Sequence, residues 1–181
     1  MPKAKLISMT KDPMKLLKDA ASMCYQKRAT DKVIEHIIKN GHWSVLEHCS
    51  ATFEVTCSIV VLMQLTRHRH LSFTCQSSRY SELDTTYDTG ILEIDRETAE
   101  QIDIYKELRD TRGISKELCA YAIPKAGEYK LVVTGNFRAW MEYLPKRLSK
   151  RASKEHRELA QLILAELLKA CPEVFKYVQA D

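Results

Sequence analysis

Residues 67–80 read RHRHLSFTCQSSRY, and they follow directly on the apolar stretch IVVLMQLT at residues 59–66. The apolar stretch predicts a short helix, which would anchor the polar stretch to a rigid element. Three arginines, two histidines and several hydroxyls within these 14 residues make a poor core segment but a good anion-binding loop. By composition alone, a solvated basic loop is an equally good interpretation.

The segments around this stretch predict strands and helices in irregular order. Residues 51–58 alternate between apolar and polar side chains, which indicates a half-buried strand. Further strands are expected at residues 4–9 and 129–134, and residues 81–95 have the polar composition of turns. Helices are expected at residues 13–24, 31–40, 97–111, 115–122, 136–144 and 149–170. Because the regular spacing of βαβ units is missing, we expect an α+β fold in one compact domain over residues 1–181.

Single residues are expected to set the ends of these helices. Asp31 should cap the second helix, and Asn136 should cap the helix that follows the strand at 129–134. Pro145 should end that helix, and Pro172 should close the last one, because proline has no backbone N–H to donate.

Overall composition narrows the class of protein. The chain has 181 residues, of which 45% are hydrophobic and 29% charged, and these proportions exclude an intrinsically disordered protein. No apolar run approaches the ~20 residues that cross a bilayer, and the first residues lack a signal-peptide core, so a cytoplasmic location is expected. The six cysteines include no CxxC pair, which predicts reduced thiols rather than a zinc ribbon.

Three segments together resemble the flavin-dependent thymidylate synthases. An RHR tripeptide at 67–69, followed after seven residues by Ser77, is similar to the signature of that family. The segment GHWSVLEH at 41–48 lies upstream, and VVTGNFRAW at 132–140 lies downstream, followed by EHR at 155–157. The three segments occur in the family's order and extend over most of the chain.

The resemblance implies an activity and an assembly. The family carries out the reductive methylation of dUMP to dTMP, with FAD as cofactor, methylenetetrahydrofolate as one-carbon donor and NADPH as reductant. Its members use no enzyme nucleophile on the pyrimidine. They are homotetramers whose active sites form at subunit junctions, so one chain would hold only part of each site.

The resemblance also implies roles for individual residues. One set would bind FAD: Ser44, Arg67, His68, Arg69, Cys75, Asn136, Arg138 and Glu142. A second set would bind dUMP: Gln64, Arg67, Cys75, Gln76, Ser77, Ser78, Arg79 and Arg147. Arg147 is the expected catalytic residue, because a guanidinium stays charged and can stabilise negative charge that develops on a carbonyl oxygen of the uracil ring.

The chain departs from the family pattern at several positions. Ala120 stands where the family has an arginine that binds the nucleotide phosphate. Glu142 and Arg151 also replace usual residues, and their opposite charges could form a pair. Another cation is expected to supply the charge that position 120 lacks; the candidates are Lys125, Lys130 and Arg151.

Alternatives remain open for the function and for single residues. A related flavoenzyme could modify C5 of another pyrimidine nucleotide such as UMP, and a basic nucleic-acid-binding module is the alternative from another class. The histidines show no second pair at ligand spacing, so no metal site is expected. His42 is a better candidate for a ligand contact than His48. Cys75 has no adjacent base in the sequence and is not expected to be a nucleophile.

Overall fold

A four-stranded antiparallel sheet lies at the centre of the computed structural model, which describes residues 1–180. The sheet has the strand order β1-β2-β4-β3. Its strands are β1 (Lys3–Met9), β2 (Ser50–Ser58), β3 (Leu71–Cys75) and β4 (Glu128–Asn136). The two central strands pair along their whole length, whereas β1 and β3 form the edges.

Helices connect and cover the strands. They are α1 (Pro13–Tyr25), α2 (Asp31–Lys39), α3 (Ile59–Leu65), α4 (Leu92–Lys106), α5 (Lys116–Cys119), α6 (Phe137–Leu148), α7 (Lys154–Ala170) and α8 (Pro172–Phe175). Short 3₁₀ turns cover Trp43–His48 and Ala120–Ala122, and a wider helical turn at Glu107–Thr111 extends α4. The mixed helix-and-sheet architecture predicted from the sequence is confirmed. In this part of the chain, no helix combines the length and apolar character that crossing a membrane requires.

The core lies between one face of the sheet and the helices α6 and α7. Trp140 is fully buried, its ring meets that of Phe53 edge-on at 5.3 Å, and its indole N–H donates to the backbone oxygen of Ala51 at 3.1 Å. Gly135 permits this approach, because a Cβ there would collide with Leu71 and lie 3.1 Å from the Trp140 nitrogen. The sheet and α6 are therefore held at a fixed distance.

Several helix boundaries differ from those predicted from the sequence. Pro145 does not end α6, which continues to Leu148, so Arg147 lies on a helix. A proline within the last helical turn removes one backbone hydrogen bond but does not prevent the remaining residues from keeping helical geometry. Pro172 starts α8, at the first helical position that proline favours.

The other differences concern where elements begin. Thr30, rather than Asp31, precedes α2, and its side chain makes no capping hydrogen bond. The helix expected at 97–111 begins at Leu92, and the last long helix begins at Lys154 instead of 149. β3 is not predicted from the sequence at all, although Asn136 does cap α6 as expected.

Candidate active site

A polar groove follows the exposed side of α6. One part of it, about 300 Å³ in volume, is lined by Glu47, His70, Asn136, Arg138, Ala139 and Glu142. The adjoining part, about 240 Å³, is lined by Arg67, His68, Arg69, His70, Glu142 and Lys146. His70 and Glu142 line both parts, so the two cavities form one groove. Arg138, Glu142 and Lys146 reach it because residues four apart share one face of a helix.

Two carboxylates fix Arg138 in this groove. Its Nη1 donates to Glu47 Oε1 at 2.6 Å, and its Nε donates to Glu142 Oε1 at 2.9 Å. The hydrogen bond to Glu142, followed by the one to Glu47, raises the pKa of the Arg138 guanidinium. The expected pair of Glu142 with Arg151 is wrong, because Glu142 binds the nearer Arg138 and Arg151 makes no ion pair within residues 1–180.

The turn between α3 and β3 supplies cations without acidic partners. Arg67 and Arg69 are both exposed, and neither forms an ion pair with a described residue. The turn is compact, because the Leu71 N–H donates back to the His68 oxygen at 3.0 Å. Asn136 is more constrained, since its side-chain oxygen accepts the Ala139 N–H at 2.8 Å, while its amide nitrogen is free for a ligand.

A hydrogen-bonded corner lies beside the groove, where α3, α6 and α7 meet. Arg147 Nε donates to His68 Nε2 at 2.8 Å, and Arg147 Nη2 donates to the backbone oxygen of Gln64 at 3.4 Å. The Gln64 side-chain oxygen lies 3.1 Å from His156 Nδ1, and His156 Nε2 lies 3.1 Å from the Tyr143 hydroxyl. These contacts hold the Arg147 guanidinium at the edge of the core.

The loop that contains Ser77 lies at the other end of β3. Gln76 braces this loop against β4: its backbone N–H donates to the Lys130 oxygen at 2.8 Å, and its side-chain oxygen accepts the Lys130 N–H at 3.1 Å. Ser77 and Arg79 are exposed, and Arg79 lies 3.6 Å from Glu117. Because a strand rises about 3.3 Å per residue, β3 places this loop roughly 13 Å beyond the start of the strand.

Comparison with known proteins connects this geometry with a family. A family model described as thymidylate synthase complementing protein matches residues 5–173. A flavin-dependent thymidylate synthase from Pyrococcus furiosus is 34% identical, over 93% of this chain and 80% of its own length. The chain belongs to the flavin-dependent thymidylate synthase family. A relative with the same description from Saccharolobus solfataricus is 33% identical over 98% of this chain and 76% of its own.

Solved structures show the same fold. The thymidylate synthase ThyX from Helicobacter pylori, described with FAD and dUMP, matches with a TM-score of 0.86 at 22% identity. The match covers 97% of this chain and 98% of that one. At this identity the likeness concerns the path of the backbone, and the side chains of this family member must be judged by their own contacts.

The structure brings together one part of the residue set expected for this family and separates the rest. Most residues expected at the flavin lie in the groove: Arg67, His68, Arg69, Asn136, Arg138 and Glu142. Gln64 and Arg147 lie next to the groove, in the corner. Ser77, Ser78 and Arg79 lie beyond the far end of β3. Ser44 is exposed in the 3₁₀ turn whose Glu47 lines the groove. Cys75 ends β3, and burial raises the pKa of its thiol.

Two functional candidates in this family member are not predicted from the sequence. His156 and Tyr143 are both buried and complete the corner. Helical periodicity in the sequence indicates that His156 is buried, because it occupies the same face of α7 as Leu159, Ile163 and Leu167. A polar residue on such a face needs hydrogen-bond partners in the core.

Lys116 is a third residue that the sequence did not single out. It precedes Ala120 by four residues, and its Nζ lies 3.5 Å from the Tyr80 oxygen and 3.3 Å from Glu82 Oε1. The cation that the structure places against the Ser77 loop is therefore on α5, one helical turn before position 120. Within the described residues, no group of three or more histidine, cysteine or acidic side chains is arranged to hold a metal ion.

Burial keeps both histidines of the corner neutral. It lowers the pKa of His156 to about 3, with Arg147 and His68 contributing in the same direction. Burial, together with the charges of Arg147 and Lys146, lowers the pKa of His68 to about 4. A neutral His68 has one acceptor nitrogen, and because Arg147 Nε can only donate, that nitrogen is Nε2 and the ring N–H is on Nδ1.

These shifts predict that acid destabilises the fold. In the unfolded chain both histidines titrate near 6.5, so below that pH the unfolded state binds more protons than the folded state. The free energy of unfolding should therefore fall as the pH drops from about 6.5 towards 4. Urea unfolding at several pH values measures this slope. It should become shallower in His156→Leu than in the unmodified protein, and equal slopes in the two proteins would contradict the assignment.

Proposed function

We propose that this chain catalyses the reductive methylation of dUMP to dTMP, with FAD as cofactor, methylenetetrahydrofolate as one-carbon donor and NADPH as reductant. The observation that carries the proposal is Arg147, whose guanidinium is fixed between His68 and Gln64 beside a groove rich in cations. The named activity of the relatives, and the FAD and dUMP of the Helicobacter pylori structures, support it.

The groove fits the chemistry of FAD. The diphosphate of a dinucleotide needs arginine and lysine donors, and Arg67, Arg69 and Lys146 offer charges that no acidic side chain within 1–180 neutralises. Arg138 contributes a pre-positioned guanidinium, and Asn136 a free amide nitrogen. When bound and reduced, FAD supplies the hydride that completes the methyl group. We place Glu142 within this site, Ser44 at its margin, and Cys75 with the Ser77 loop at the far end of β3.

Arg147 acts on the pyrimidine. Its Nε–H is committed to His68 and one Nη2–H to Gln64, so the remaining N–H groups are free to donate to a carbonyl oxygen of the ring. Such a contact stabilises the negative charge that this oxygen shares when N3 loses its proton, and the resulting ring anion is more nucleophilic at C5. Because His68 is neutral, it does not repel the guanidinium. Its Nε2 instead accepts a hydrogen bond that keeps Arg147 in position.

The nucleotide phosphate binds at the loop that contains Ser77, beyond the end of β3. Arg79, Ser77 and Ser78 supply the donors there, and Lys116 supplies charge in place of the side chain that Ala120 lacks. Since β3 separates this loop from the groove of the same chain, we propose that each active site joins the groove of one chain to the loop of another. A homotetramer, the assembly that the resemblance implies, would provide such junctions. We propose that residues 1–181 form a single domain and place the enzyme in the cytoplasm.

A turnover assay tests this function. Purified protein is incubated with FAD, NADPH, methylenetetrahydrofolate and either dUMP or UMP, and dTMP or its ribonucleotide counterpart is quantified. We expect flavin absorbance in the purified protein and turnover that requires all the components with dUMP. Turnover with UMP alone would favour the alternative pyrimidine substrate, and a colourless protein that forms no product from either nucleotide would contradict the proposal.

Arg69→Ala should release FAD without disrupting the fold. The side chain is exposed and makes no ion pair within the described chain, so its loss removes a ligand contact and little else. We expect FAD binding to weaken roughly ten- to a hundredfold, as is typical for one or two charged hydrogen bonds. Flavin fluorescence titration measures the effect. Arg96→Ala, on the exposed face of α4, is the matched control, and unchanged affinity in Arg69→Ala would remove this arginine from the site.

A further inference from the structure

The hydroxyl of Tyr143 determines the direction of a chain of hydrogen bonds in the corner. Tyr143 is 1% exposed, and its hydroxyl has one partner among the described residues, His156 Nε2. A buried O–H that lacks an acceptor costs about 1–3 kcal/mol. The hydroxyl therefore donates its proton to His156 Nε2.

This direction fixes the tautomer of His156. The ring is fully buried and lies near Arg147, and it is neutral, so it carries a single N–H. Because Nε2 accepts from Tyr143, the proton is on Nδ1. That N–H then donates to the side-chain oxygen of Gln64, 3.1 Å away.

The side-chain amide of Gln64 is thereby oriented. Its oxygen is used by His156, while its nitrogen has no hydrogen-bond partner within the described chain. The nitrogen also reaches solvent, because the Tyr105 hydroxyl is the only buried side-chain nitrogen or oxygen in residues 1–180 that lacks a partner. In the opposite orientation, the amide N–H would donate to His156 Nδ1, so the single ring N–H would be on Nε2. The Tyr143 hydroxyl would then have no acceptor.

We propose that His156, supported by Tyr143, is a positioning residue that makes Gln64 present its N–H groups to the nucleotide. This inference rests on the proposed function, in which Gln64 lies beside Arg147 at the pyrimidine. An amide nitrogen recognises an acceptor, so Gln64 donates to a carbonyl oxygen of the ring, next to the donors of Arg147. If the amide were free to rotate, its oxygen would face that carbonyl part of the time.

Two substitutions at position 156 separate this role from packing. His156→Leu keeps an apolar side chain of moderate size but removes both hydrogen bonds, whereas His156→Asn retains a donor near the position of Nδ1. We expect KM for dUMP to rise roughly five- to tenfold in His156→Leu, with a smaller change in kcat, and to return most of the way in His156→Asn. Tyr143→Phe, which preserves the ring, should raise KM by about half as much on a logarithmic scale.

Gln64→Ala completes the test by a double-mutant cycle. If His156 acts through Gln64, then His156→Leu adds no further rise in KM to Gln64→Ala. FAD fluorescence and the melting temperature are recorded for every variant. A variant set in which only the melting temperature changes, or in which the effects on KM add, would overturn the inference. Failure of the wild-type protein to bind dUMP would instead contradict the proposed function, and it is visible before any variant is compared.

Discussion

Arg147→Lys is expected to lower the turnover of dUMP by roughly a hundred- to a thousandfold, the range for loss of a fixed donor at developing negative charge. Lysine keeps the charge but has one ammonium on a flexible stem. It cannot donate to His68 Nε2 and to the Gln64 oxygen while also reaching a ring carbonyl. Because Arg147 is only partly buried, the melting temperature should change little. Steady-state kinetics and thermal unfolding measure the two quantities.

Arg151→Lys is the matched control for this substitution. It changes the same side-chain type four residues later, at an exposed position that makes no ion pair in the described chain. Its kcat should stay close to that of the unmodified protein. The FAD content of Arg147→Lys must also be measured, so that lost cofactor is not mistaken for lost chemistry. Full turnover in an FAD-loaded Arg147→Lys protein would mean that another group activates the ring.

Glu155→Ala should cause the largest loss of stability among the polar substitutions considered for this chain. Glu155 is 6% exposed, and its two oxygens accept the Ser58 backbone N–H at 2.7 Å and the Ser58 hydroxyl at 2.6 Å. The same hydroxyl accepts the Val61 N–H at the start of α3. Removing the carboxylate leaves buried donors without an acceptor, and we expect the free energy of unfolding to fall by about 2–4 kcal/mol.

Urea denaturation of Glu155→Ala and Glu100→Ala provides the measurement. Glu100 forms an exposed ion pair with Arg96 on α4, and such pairs contribute about 0–1 kcal/mol. Its removal should therefore leave the urea midpoint nearly unchanged. A midpoint for Glu155→Ala as high as that of the control would show that α7 and α3 are held together by other contacts.

Local patterns explain which elements the sequence predicted. β2 alternates cleanly, with Phe53 and Val55 on the buried face, and the long helices have the spacing of one apolar stripe. β3 has only five residues, lies inside a polar run and has one buried side chain, Leu71. Its strand geometry comes from pairing with β4, some 60 residues later in the chain, and no local pattern reports such pairing.

The candidate site follows the same division. Most residues of the groove could be predicted because they belong to short segments, 67–69 and 132–140, that resemble the family. His156 and Tyr143 of the corner could not, since the contact of Gln64 with His156 joins positions 92 residues apart. The pairing of Glu142 was also misjudged, because charge alone does not tell that Arg138, one turn earlier on α6, is the nearer partner.

Because β3 separates the groove from the Ser77 loop, mutations in these two places affect different parts of the proposed active site. In the proposed site, Arg69→Ala removes a contact to FAD before the start of β3, and Arg79→Ala removes a contact to the nucleotide phosphate beyond its end. If active sites form at junctions between chains, as proposed above, two such mutant chains that assemble together give one junction with both defects and another with neither. A cell that carries both alleles should therefore make more thymidylate than a cell that carries either allele alone, which is complementation between two alleles of one gene.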